Sequence, residues 1–367
     1  MRFDTEKFEN VHQVGGIRTG ALDHPNPSTS GGGGTSGGGG RVAMVDTGSG
    51  LRFTVALDRG GDIVEAFYNQ HSLAYLSPND YKPPSFAYAK GLDWLDSWPA
   101  GLVTTCGPRY IGGPRTEDGV DVGLHGRFSN TPAAVEMVVN PRPHDGQREM
   151  LLSLVIRDAR MFGPVVEVRR RIQCVLGEPE VQIFDEVINR GNQTVAHNWL
   201  YHVNLGYPLA DRGAKLIFKG KAGLVTPPTK PLTKALLNRF KTLRGNVLEH
   251  VGTGEDVLLI DPRADRKGVA HVGLVNHALG LGVELAYPLK QLPRLANWQH
   301  LAPGGSYVTG VEPYSGSLLG KDREKHPLAE QWLKPGQTKR YRLTIRVHAG
   351  RAALAGFAKH DGELVVG

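Results

Sequence analysis

The sequence predicts an all-β protein: one large unit of antiparallel strands stacked as two sheets, with few short helices. Three observations carry this. Glycine supplies 48 and proline 24 of the 367 residues, above their usual shares of ~7% and ~5%. Chains punctuated that often favour many short strands over long helices. Between the punctuators lie short runs rich in Val, Ile, Leu and Thr, residues that suit a pleated, half-buried surface. No strand–helix–strand alternation interrupts them.

The expected strands are Arg41–Asp46, Leu51–Leu57, Ala134–Val139, Met150–Arg157, Val165–Leu176, Val181–Asn189, Val257–Ile260, Ala270–Asn276, Gly282–Ala286, Tyr307–Val311 and Arg340–Val347. Ten or more strands in one unit imply two packed sheets. One helix is expected over Thr233–Arg244. Thr233 can cap it, Gly245 can end it, and Leu236, Leu237, Phe240 and Leu243 share a face. Its Lys234, Arg239, Lys241 and Arg244 form either a solvated basic face or a patch for an anionic partner. A shorter helix is expected over His326–Leu333. Residues 28–40, almost all Gly and Ser, read as a flexible surface loop. No Lys-Ser/Thr and helix pattern follows them, which argues against a phosphate cradle. The expected organisation is an N-terminal segment over 1–42, the sandwich over 43–350, and a C-terminal tail over 351–367.

Net charge is 43 − 36 = +7. From Arg212 to Leu248 there are nine Lys or Arg and no Asp or Glu, which leaves the rest of the chain at 34 − 36 = −2. The basicity therefore belongs to one insert, and the expectation is no nucleic-acid partner. The charged N-terminus has no apolar run behind it, and no stretch approaches 18 uninterrupted apolar residues. The expectation is a soluble, cytoplasmic protein with no membrane partner. Two cysteines, Cys106 and Cys174, can form neither a disulfide framework nor, alone, a structural zinc site. Both are expected to be reduced and unpaired.

Several segments combine turn residues with reactive side chains: Asp58–Asp62, Gly101–Pro108, Gly123–Asn130, Asn198–Pro208, Asn297-Trp298 and Gly310–Ser315. Gly126 lets the backbone beside His125 come close to a ligand, and Arg127 adds a fork of donors. Glu312 precedes Pro313, which is expected to hold its carboxylate at a strand-to-loop junction. Trp298 offers a flat apolar face next to an amide. Such a set suits a polyhydroxylated ring, whose C–H face stacks on an aromatic while charged and amide groups read its hydroxyls. Each residue alone is also an ordinary structural one: a lone His is usually packed or exposed, and a lone Glu solvated.

These segments occur in an order that resembles the aldose 1-epimerase (galactose mutarotase-like) superfamily, and is most similar to its branch known as a domain of unknown function. Leu57–Ile63 resembles the family's early strand-turn. The Thr-Thr-Cys-Gly core of Gly101–Pro108 and the Leu-His-Gly motif of Gly123–Asn130 are the more specific matches. Glu186–Gly191 followed by Trp199–Gly206, and then Gly310–Pro313, resemble the strands that carry the acid histidine and the base glutamate. The likeness spans roughly residues 43–347. Where mutarotases carry an Arg-Asn-rich stretch, this chain has Pro114–Glu117.

The resemblance implies a galactose mutarotase-like β-supersandwich, a small-molecule sugar substrate, and neither a metal nor an organic cofactor. It implies Glu312 as base and His202 as acid, with His125, Arg127, Arg59, Asn204, Trp298 and Cys106 as substrate-binding residues. A base removes the anomeric hydroxyl proton and an acid protonates the ring oxygen, so the ring opens and recloses as the other anomer. Two alternatives remain at the level of sequence. One is another sugar isomerase or epimerase that moves a carbon-bound proton, with Cys106 able to join it; the other is a non-catalytic carbohydrate-binding protein.

Overall fold

A computed structural model describes residues 3–22, 40–117, 119–226, 233–320 and 332–366. Among them, twelve strands form one sheet and eight a second. The first sheet runs Gly16–Leu22, Gly40–Asp46, Leu51–Ala56, Asp62–Tyr68, Val103–Cys106, Trp199–Gly206, Tyr307–Ser315, Arg294–Leu301, Asp256–Pro262, Gly220–Thr226 and Leu364–Val366, with His71–Ser72 paired beside the fourth. The second runs Lys215–Ile217, Val269–Asn276, Leu281–Pro288, Thr338–Ala349, Glu180–Asn189, Val165–Val175, Glu149–Ala159 and Ala133–Val139. Neighbours are antiparallel, except that Leu364–Val366 lies parallel to Gly220–Thr226.

One continuous core separates the sheets. Tyr201, Val203, Val311 and Ile260 enter it from the first, and Ile183, Leu343, Leu285 and Val272 from the second. Each comes from a strand whose alternate residues are apolar, so one face of each sheet is dry. All eleven expected strands are present, with ends shifted by a few residues.

Some expectations are corrected. The strand through Glu312 does not stop there but continues to Ser315. Proline fits an extended strand, removing only one donor from the ladder. The predicted helix is Lys234–Lys241, capped by Thr233 through Leu236 N, and it ends at Thr242 rather than Gly245. Leu237, Phe240 and Leu243 are buried as expected. Of the second predicted helix, residues 326–331 lie outside the described residues, and Trp332–Leu333 is instead a strand paired with Val195–Ala196. The glycine-rich stretch up to residue 39 also lies outside them. Strand pairing passes both sandwich boundaries, since Gly16–Leu22 and Leu364–Val366 belong to the first sheet. The basic segment is no separate insert: it supplies a strand to each sheet, and Lys241 and Arg244 pair with Asp361 and Asp256.

A charged network joins the sheets beneath the candidate site. Arg170, fully buried on Val165–Val175, makes two hydrogen bonds to Asp185 at 2.8 and 2.9 Å. It also donates to Thr105 Oγ1 at 2.8 Å and to the Gly60 and Gly61 carbonyls. Tyr201 donates its hydroxyl to Asp185 at 2.6 Å. Burial still pushes the neighbouring Asp62 carboxyl up to about 6, against the pull of Arg170. Thr105 and Tyr201 flank, on the core side, the strands that present Thr104 and His202 on the other face.

Candidate active site

Strand register assembles the site. Leu200 pairs with Tyr314 and Val203 with Val311, which sets His202 directly opposite Glu312. On either side, Thr104 pairs with His202 and Ala296 with Glu312. Four adjacent strands thus carry Thr104, His202, Glu312 and Ala296 in one row, on the face away from the core. The next row holds Asn204, Gly310 and Trp298. Period-two alternation makes this one face, because Tyr201, Val203 and Val311 point the opposite way into the core.

His202 Nε2 lies 3.3 Å from Glu312 Oε1, and both side chains are nearly sealed from solvent, at 6% and 4% exposure. Burial lowers the His202 pKa to about 4. Asn204 works against that shift from beside the ring, yet neither His202 Nδ1 nor Asn204 Oδ1 completes a hydrogen bond. Burial, reinforced by the charge of Glu255, holds the Glu312 carboxyl well above its ordinary range. Each group is driven towards its neutral form.

The Glu312 carboxylate has its position because residue 310 is glycine. A Cβ there would stand 2.2 Å from Glu312 Oε1. This is a close-approach requirement, not a need for unusual backbone angles.

His125 completes a triangle, its ring centroid 5.3 Å from that of His202 with the planes perpendicular. It sits at φ 57 in a tight turn. The turn is held by His125 N to the Gly112 carbonyl and by Gly107 N to the His125 carbonyl. Gly112 N also donates to His125 Nδ1 at 3.3 Å. Nδ1 is therefore an acceptor, and the neutral ring carries its proton on Nε2. Burial, then the neighbouring His202 and Arg115, push the His125 pKa well down, which keeps that neutral form.

Aromatic rings wall the cluster. Trp98 lies 5.4 Å from His202 and 6.1 Å from Trp298, and Trp298 lies 5.5 Å from His202. Trp94 stacks on Trp98 at 4.9 Å and meets His125 at 5.1 Å. Their N–H groups are all committed: Trp98 to Thr104 Oγ1, Trp94 to Ser129 Oγ, and Trp298 to Glu255 Oε2. The pair therefore lies beneath tryptophans. A neighbouring cleft of about 720 Å³ is lined by Tyr75, Tyr207, Arg212 and Tyr307. Tyr75 connects it to the site, standing 6.4 Å from Trp98.

The remaining expected binding residues are engaged elsewhere. Arg127 is bound to Asp158 at 2.5 Å and to the Ala159 carbonyl, with its guanidinium over Phe86. Arg59 is buried and donates to the Lys82 carbonyl, and burial lowers its pKa to about 10 despite nearby Asp62. Asn204 gives both amide protons to the Gly101 and His202 carbonyls, so it fixes the strand rather than offering donors. Cys106 is on the site face, one pair along from His202, but packed among Ile111, Leu200 and Tyr314, and burial raises its thiol pKa strongly. Asn297 is fully buried and committed to Thr309 and Gly310. Sequence reasoning missed Trp94, Trp98, Thr104 and Glu255. The available signal was two of the five tryptophans lying four residues apart in Asp93–Trp98.

The family described as a domain of unknown function, DUF4432, matches residues 37–347. The chain belongs to that family. A presumed aldose 1-epimerase from Klebsiella pneumoniae superposes on this DUF4432 member with a TM-score of 0.79 at 21% identity, covering 98% of this chain and 93% of the other. A galactose mutarotase-like protein from Clostridium acetobutylicum gives 0.58 at 12%, covering 84% and 96%. Galactose 1-epimerase from Lactobacillus acidophilus gives 0.56 at 12%, covering 91% and 100%. The DUF4432 fold here is thus the galactose mutarotase-like β-supersandwich. No curated protein matches the chain. Among the described residues, no helix is long and apolar enough to cross a membrane.

Proposed function

We propose that this protein interconverts the anomers of an aldose or modified aldose, with Glu312 as base and His202 as acid. The observation that carries the reading is the sealed His202–Glu312 pair, 3.3 Å apart across adjacent strands. A pair with one proton has two tautomers: neutral carboxyl with neutral imidazole, or carboxylate with imidazolium. The second is the form that anomerisation needs, and it forms without taking up or releasing a proton. A polar substrate replacing apolar contacts favours that charged tautomer, because desolvation is what opposes it.

In the reaction, Glu312 accepts the proton of the anomeric hydroxyl while His202 protonates the ring oxygen. The C–O bond of the ring breaks and the carbonyl forms. Rotation about one C–C bond and the reverse transfers close the other anomer and restore both residues. His125 Nε2–H is free of the Gly112 contact and donates to a sugar oxygen. Trp298 and Trp98 cover the C–H face of the ring.

The likeness to solved 1-epimerase structures supports this at the level of scaffold. Cys106 offers little to a carbon-proton transfer, since its thiol is buried and its pKa raised. The test is NMR of an aldose panel in deuterated water. Faster anomer exchange with no deuterium on carbon is the expected result. Carbon-bound deuterium, or no exchange with any sugar that binds, would replace the reading with one of its alternatives.

A further inference from the structure

We propose that His271, Glu284 and His360 form a binding site for one divalent ion of the zinc class, remote from the His202–Glu312 pair. His271 and Glu284 lie on neighbouring strands of the second sheet, on the face away from the core. Ala270, Val272 and Leu274 on one strand, and Val283 and Leu285 on the other, point inward. His271 pairs with Ala286 and Gly273 with Glu284, so His271 and Glu284 are diagonal neighbours. His360 follows the helix Arg351–Ala358, which docks here through Leu354 and Phe357 on Val275 and Ile217.

The ligand atoms are gathered. One donor atom from each of the three residues lies within 4.8 Å of the other two. Two ligands about 2.1 Å from a shared tetrahedral ion stand about 3.4 Å apart, so binding draws the widest donor pair inward by up to about 1.4 Å. The His360 ring stacks on His271 at 3.9 Å with the planes 20° apart, so it has to turn about its side-chain bonds before both in-plane lone pairs meet one ion; among the described residues no hydrogen bond to its ring nitrogens opposes that turn. His271 Nδ1 is 2.6 Å from Glu284 Oε1, a contact that an ion enters by displacing the shared proton.

The outer partners point the same way. His271 Nε2 meets Asp265 Oδ2 at 3.3 Å, the carboxylate–histidine arrangement that orients a metal-binding imidazole. The other Glu284 oxygen is fixed by His348 Nε2 at 2.7 Å and Arg346 Nη1 at 3.0 Å, leaving Oε1 for the ion. Charge is also suitable. Asp265, Glu284 and Glu180 bring negative charge here, against Arg346 and Lys219. Two imidazoles and one carboxylate are donors for zinc-class ions rather than the all-oxygen set that calcium or magnesium takes. Three protein ligands leave a fourth position for water. The ion would clasp the C-terminal segment, which goes on to add Leu364–Val366 to the first sheet.

The experiment uses the untagged full chain, stripped with chelator and titrated calorimetrically with zinc chloride, with cobalt(II) absorption reporting geometry. The expected result is saturation at one ion per chain, a tetrahedral cobalt spectrum and a zinc-dependent rise in Tm. His360→Ala, at a partly exposed residue, should keep the metal-free fold by circular dichroism and lose at least tenfold in affinity. Glu284→Gln should weaken binding similarly. Absence of saturable binding, or His360→Ala binding zinc as the wild type does, overturns the proposal.

Discussion

His202 Nε2 and Glu312 Oε1 face each other at 3.3 Å across paired strands, each buried and each driven towards its uncharged form. Neither residue alone would be a persuasive acid or base. At that separation the charge of one bears on the ionisation of the other, so titration belongs to the pair.

The pH profile of kcat/KM should therefore be broad. As pH falls, the pair gains a proton, and the lowered His202 pKa draws that acid limb down towards about 4 rather than 6.5. As pH rises, the single proton is lost only when Glu312 ionises, well above the usual carboxyl range. Initial rates across pH 3.5–9 check this, and an acid limb at 6.5 contradicts it.

Gly310→Ala should separate activity from stability. The added methyl meets the tip of Glu312, which can swing away at little cost, so Tm should move by only a few degrees. The displaced carboxylate should cost about tenfold or more in kcat, as small misplacements of catalytic groups do. Steady-state kinetics and a thermal melt on the same sample decide it.

Trp298→Ala should weaken sugar binding more than turnover. The ring is 5.5 Å from His202 and is proposed as a stacking surface, not as a proton carrier. KM should rise about tenfold while kcat falls by less. A collapse of kcat with unchanged KM would show that the ring positions His202 instead.

Arg170→Met should destabilise by about 3–5 kcal/mol in urea unfolding, because Asp185 is left buried and uncompensated. Replacing Asp185 by Leu in the same chain should recover part of that loss. No recovery would mean that the pair is not the origin of the penalty.

Much of this architecture is legible in alternation and turn residues. The strands around Val181–Asn189 and Ala270–Asn276 show apolar periodicity that only a two-layer core uses. The burial of Arg170 was not legible: it shares an alternating face with Val168 and Ile172, but its charge suggests solvent. The histidines and Glu312 were legible through family order, but their burial was not, because the covering Trp94 and Trp98 come from a segment between strands. The protein partners of Arg127 and Arg59 were not legible either. Their motifs mark a turn near the site, while Asp158 and the Lys82 carbonyl, remote in sequence, claim the guanidinium groups. Gly310 could not be read at all, since its need is set by the side chain two residues on.

The most direct measurement is anomer exchange by NMR saturation transfer, on the most reactive aldose, for the wild type, Glu312→Gln and His202→Asn. Both substitutions keep shape and remove proton transfer. Each should lower turnover by about 10²–10⁴ with sugar binding retained. Wild-type exchange rates in either folded variant would contradict the assignment of that residue, and in both would remove the pair from the chemistry.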